Sequence, residues 1–117
     1  MELHSKRVGN ALVLNAQGRI DHAHADGFKT ALDPSLAQCV RGGPGIVLDM
    51  SGVEYISSVG LRALMVAAKQ IKSQGGRMVV AALAPVVREV FEISRFHLVF
   101  EIFDSVDAAL AALGSSA

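Results

Sequence analysis

With 117 residues and 51% hydrophobic content, the chain has the size of one ordinary domain and ample material for a single core, so one domain over residues 1–117 is expected. Eleven basic and eleven acidic residues give a formal net charge of zero, which removes any global electrostatic reason to bind nucleic acid or an anionic membrane. The single cysteine, Cys39, excludes an internal disulfide framework and fits a reducing compartment. The amino terminus, MELHSKRVGN, has no apolar signal core, and no apolar run reaches the length of a bilayer span. A cytoplasmic protein without membrane insertion is the expectation.

Leu3 to Val8 alternates weakly, and Gly9-Asn10 supplies a reverse turn into a better strand, Ala11 to Ala16. This reads as a hairpin at a sheet edge. Gly18 breaks the second strand before Arg19-Ile20-Asp21, and Asp21 is placed to cap the helix that follows. Ala25, Phe28, Leu32, Leu36 and Cys39 then form one helical stripe, with Cys39 as an apolar helix residue. Asp33-Pro34 interrupts it, which predicts a kink or two short helices.

Arg41-Gly42-Gly43-Pro44-Gly45 is a turn by composition, and Ile46 to Met50 is a short apolar run, most simply a buried central strand. A phosphate-cradling role for these glycines is disfavoured, because the Walker pattern ends in Gly-Lys-Ser/Thr at a helix and this loop enters a strand. A polar turn leads to the adjacent serines Ser57 and Ser58. The following helix carries Leu61, Leu64, Met65, Ala68 and Ile71 inward, with Arg62, Lys69 and Lys72 outward, and stops at Gly75-Gly76.

Arg77 to Leu83 is the next strand, and Ala84-Pro85 opens a helix bearing Val86, Val90, Phe91 and Ser94. Leu98 to Phe103 reads as a last short strand. Asp104-Ser105 caps a terminal helix whose face is Val106, Ala109, Leu110 and Leu113, and Ser115-Ser116-Ala117 is expected to fray. The order ββαβαβαβα predicts an α/β fold: a mixed, mostly parallel sheet of about five strands with about four helices.

Catalysis needs convergent titratable groups, and few are available. His22 and His24, two apart, diverge on a helix and make a poor metal pair, so neither a metal nor another cofactor is expected. Ser58 and Gly60 lack the first glycine of a nucleophile elbow, since position 56 is isoleucine. Enzymatic activity is not expected. Helix capping accounts for one serine at the junction. It does not require the second, nor a glycine at position 60, where a small residue lets another surface approach the backbone.

The run Asp49-Met50-Ser51-Gly52-Val53-Glu54-Tyr55-Ile56-Ser57-Ser58-Val59-Gly60-Leu61 resembles the signature of the STAS domain, the family of bacterial anti-sigma factor antagonists. Gly18-Arg19-Ile20-Asp21 is similar to the family's Gly-x-Leu-Asp turn, and Ala84 to Phe91 is similar to its third helix. The resemblance implies partner switching. The unphosphorylated antagonist binds an anti-sigma factor that is also a serine kinase and frees the sigma factor; phosphorylation releases it, and a PP2C-type serine phosphatase restores it. By position the phosphorylated serine is Ser58, with Ser57 as a rival acceptor. Asp21, Ser57, Ser58, Gly60, Leu61 and Arg62 are the expected partner-binding residues.

The commonest family pattern is Asp-Ser-Ser/Thr-Gly-Leu. Here Ser57 replaces the aspartate and Val59 replaces the second hydroxyl residue, while Ser58, Gly60 and Leu61 keep their places. These departures keep an alternative open, that of an accessory STAS subunit, not phosphorylated, in a larger signalling or lipid-transport assembly.

Overall fold

A computed structural model describes residues 2–114; the expected fraying of Ser115-Ser116-Ala117 lies outside the described residues. The core strand is β3, Gly45–Ile56, with β2, Ala11–Ile20, and β4, Met78–Ala81, parallel to it on either side. β1, Glu2–Val8, pairs antiparallel with β2, and β5, Ile102–Phe103, pairs parallel with β4, giving the sheet order β1-β2-β3-β4-β5. β1 is one edge, and its exposed Lys6 and Arg7 discourage further strand pairing. The helices are α1, Ala25–Gln38; α2, Ser58–Ser73; α3, Pro85–Ile93; and α4, Val106–Gly114. This is the expected order, with a 3₁₀ turn at Phe96–Leu98 added. No helix among the described residues is long and apolar enough to cross a membrane.

The core has two layers. Leu14, Ile20, Phe28, Leu32, Leu36, Leu48, Ile56, Leu64, Val87 and Phe91 pack under α1, α2 and α3 on one face of the sheet. Val13, Val47, Val79 and Ala81 pack against Ala109 of α4 on the other. A strand whose successive residues are buried on opposite faces reads as a continuous apolar run, as Ile46-Val47-Leu48 does.

Several local expectations are corrected. β3 does not stop at Met50, and β2 does not stop at Gly18: both continue to the junction, paired through Ile20 and Ile56. Pairings step from Asn15–Asp49 to Gln17–Gly52 and from Gly18–Val53 to Arg19–Tyr55, so β3 contains two extra residues and bulges twice. Gly18, at φ 100°, absorbs the distortion within the strand instead of ending it.

Helix α1 runs unbroken through Pro34, which the aspartate before it does not cap; Asp33 instead binds Lys29 Nζ at 2.6 Å. A mid-helix proline costs about 3 kcal/mol. Full burial of Leu36 two residues beyond it, contributing about 1.5–3 kcal/mol, offsets much of that cost. Cys39 is the buried residue just after the helix, not within it. Gln74 Nε2 satisfies the carbonyls of Leu36 and Cys39 at 2.8 and 3.1 Å, and Gly75, at φ 77°, ends α2 in the left-handed conformation.

In α2 the buried face is Gly60, Leu61, Leu64, Ala67 and Ile71; Met65 and Ala68 are only half-buried at its border. In α3 the buried pair is Val87 and Phe91, so Val86 and Ser94 face outward. The expected strand from Leu98 shrinks to β5 because Phe96 and Phe100 turn inward onto Phe91, with ring centroids 6.4 and 6.0 Å away. Ser105 Oγ caps α4 by accepting from Ala108 N at 3.0 Å.

Candidate functional site

At the C-terminal ends of β2 and β3 the chain turns through Ser57 into α2. Ser57 N donates to Ile20 O at 2.9 Å, tying the junction to the neighbouring strand before the helix begins. Ser57 is extended, at φ −88° and ψ 171°, and its Oγ accepts from Gly60 N at 3.2 Å. That is N-cap geometry. Ser58 is the exposed first residue of α2, and its hydroxyl has no hydrogen-bond partner among the described residues. The two serines are therefore distinct: one closes the helix, the other faces solvent.

Gly60 and Leu61 were both expected on the partner surface, yet both are buried, Leu61 to 2% exposure. The close approach that requires a glycine at 60 is internal. A Cβ there would lie 2.7 Å from Ile20 O and 2.9 Å from Ile56 Cγ1, so the missing side chain lets α2 seat on the strand ends. Arg62 is exposed on the outer side of α2.

Asp21 follows directly after β2 and is partly exposed. It does not cap α1, whose N-cap position is His24 with no side-chain bond. Instead Asp21 Oδ1 accepts from His24 N at 3.2 Å and lies 2.6 Å from His24 Nδ1, closing the turn between strand and helix. The His24 hydrogen bond holds the Asp21 carboxyl below the usual carboxylate range, and the nearby Arg19 adds to the effect. Arg19 Nε stands 3.7 Å from Asp21 Oδ2, and its guanidinium lies 4.7 Å from the centre of the Tyr55 ring.

Arg19, His24 and Tyr55 thus join the surface beside Ser57, and sequence reasoning missed all three. The Asp-x-x-His spacing was visible but has many uses. The Arg19–Tyr55 pairing depends on the bulged register of β2 and β3, which no local pattern reveals. Asp49, first residue of the signature run, is structural: it accepts from Asn15 Nδ2 and from Ser51 N, each at 3.0 Å. Among the described residues no group of three His, Cys, Asp or Glu side chains is placed to hold a metal ion.

Such a molecule is a small α/β domain that presents a strand-to-helix junction on its surface, with a solvent-facing hydroxyl at the helix start. The family model of the STAS domain matches residues 2–109, and the chain belongs to that family. It is 38% identical over 112 residues to the provisionally named anti-sigma factor antagonist BtrV of Bordetella bronchiseptica, covering 96% of this chain and 94% of that protein. Among solved structures it resembles an anti-sigma factor antagonist from Mycobacterium paratuberculosis, at 25% identity and TM-score 0.84, covering 96% of this chain and 92% of that one. The unphosphorylated form of the anti-sigma factor antagonist SpoIIAA shares the fold at 16% identity and TM-score 0.78, with 97% of each chain covered.

Proposed function

We propose that this protein is a cytoplasmic, non-enzymatic anti-sigma factor antagonist that works by partner switching. In its unmodified form it binds a serine-kinase anti-sigma factor through Asp21, Arg62 and the Ser58 end of α2. Phosphorylation of Ser58 releases it, and a PP2C-type serine phosphatase resets it. The observation that carries the proposal is the division of labour between the serines: Ser57 is held as the cap, which leaves the Ser58 hydroxyl exposed and unbonded. Family membership and the names of its relatives support the antagonist role. Gly60 and Leu61 act from beneath the surface, seating the helix that presents the hydroxyl.

A phosphate on Ser58 adds about 1.5 to 2 negative charges at a helix start, where free amides and the helix dipole favour an anion. The fold tolerates it. An acidic or apolar partner surface does not, and a loss of about 3 kcal/mol of binding is more than a hundredfold in affinity.

The test begins with the anti-sigma factor recovered in a pull-down with unmodified protein. Incubation with that partner and ATP, followed by mass spectrometry, places one phosphate on Ser58. Ser58→Ala binds the partner and takes no phosphate; Ser58→Glu binds more than a hundredfold more weakly at an unchanged melting temperature. Equal binding by the two variants removes Ser58 from the mechanism, and absence of phosphate on either serine favours the accessory-subunit role.

A further inference from the structure

Running on from the junction, the outer ridges of α2 and α3 carry the same spacing with opposite charge. On α2, Val59, Arg62, Val66 and Lys69 are all exposed and recur at three, four and three residues, alternating apolar with basic. No acidic residue occurs anywhere in that helix. On α3, Val86, Glu89 and Ile93 are exposed at steps of three and four, alternating apolar with acidic, and Glu92 is exposed next to them. The one basic residue of α3, Arg88, is directed to Asp104 Oδ1 at 3.3 Å.

The α3 ridge is strongly apolar for a surface. Ile93 is 75% exposed and Leu98, one short turn beyond, is 71% exposed. Clustered exposure of this kind marks an interaction site. Both helices cover the same face of the sheet, since Leu61 and Leu64 of α2 share one core cluster with Val87 and Phe91 of α3. Beside α2 runs a groove of about 410 Å³ whose lining includes Met65, Lys69, Lys72, Val99 and Glu101.

We propose that the occupant of this face is a second copy of the chain, in a two-fold dimer that lays α2 of each copy along α3 of the other. One rotation axis makes both contacts at once, so the assembly closes at two. The matched steps set Val66 and its apolar neighbours against Ile93 and Leu98, with Arg62 and Lys69 facing Glu89 and Glu92. Exposed ion pairs add little affinity. Their role is to choose the pairing, because α2 on α2 and α3 on α3 both oppose like charges. The dimer buries Arg62, which the proposed function gives to the anti-sigma factor, so a second copy and that partner exclude each other on the α2 ridge.

Sedimentation velocity of the full chain over a wide concentration range tests it. The expected result is a reversible monomer–dimer equilibrium. Ile93→Asp, at a position already open to solvent, raises the dimer dissociation constant by about tenfold or more with an unchanged circular dichroism spectrum and melting temperature. Lys69→Glu weakens the dimer, and the double variant Lys69→Glu with Glu92→Lys recovers it. A chain that stays monomeric throughout overturns the proposal, as does a dimer indifferent to Ile93→Asp and Lys69→Glu. Growth past two copies overturns the two-fold arrangement.

Discussion

Gly60 shows how a single atom decides whether the junction closes. In a helix interior alanine is normally favoured over glycine by about 1 kcal/mol. Here an added Cβ would meet Ile20 O at 2.7 Å and Ile20 Cγ2 at 2.8 Å, and that carbonyl is fixed by its bond from Ser57 N. Overpacking of this kind costs about 1–3 kcal/mol and outweighs the propensity gain. Gly60→Ala is therefore expected to lower the melting temperature by several degrees in a thermal melt, and a rise would show that the strand end gives way. The sequence pattern pointed to a glycine with a steric purpose. It could not say that the surface approaching that glycine is the end of β2, because Ile20 and Gly60 are forty residues apart and meet only in the folded chain. The same holds for the serines: capping accounted for one of the two, and only the bond from Gly60 N to Ser57 Oγ shows which.

At the scale of elements, helix α3 ends in a strained conformation. Arg95 sits just past its C-cap at φ 61°, where its amide donates to Glu92 O at 3.1 Å. The left-handed conformation costs a residue with a Cβ about 1–2 kcal/mol, partly balanced by the greater freedom that glycine has in the unfolded chain. Arg95 is exposed and makes no capping contact with its side chain, so Arg95→Gly should stabilise the protein by about 0.5–1 kcal/mol. Chemical denaturation would register this as a higher midpoint with an unchanged slope. Element types and order were legible because periods of two and of about 3.6 are local properties, punctuated here by Gly9, Gly75 and Pro85. Element lengths were less so. The run from Ser51 to Tyr55, broken by Gly52, has only a weak strand signature of its own and becomes strand because β2 runs beside it and supplies the hydrogen bonds. Helix α1 likewise passes through Pro34 on the strength of what Leu36 buries.

For the whole molecule, Cys39 reports on cooperative unfolding. Its side chain is fully buried where α1 ends, and Sγ lies 3.3 Å from Arg77 O. Burial pushes the thiol up from its ordinary value, so it stays protonated and unreactive at neutral pH. An aromatic disulfide reagent is expected to leave the native protein unmodified and to react stoichiometrically in denaturant; rapid modification of the native protein would mean that the ends of α1 and α2 open locally. The order of strands and helices, the mixed sheet and the resemblance that singles out Ser58 could all be read along the chain, since each rests on neighbouring residues and their spacing. How far β2 and β3 extend, which serine caps α2, and the gathering of Arg19, Asp21, His24 and Tyr55 beside it belong to the fold alone. Those features come from hydrogen bonds and packing between segments distant in sequence, and such contacts leave no periodic trace in the chain that makes them.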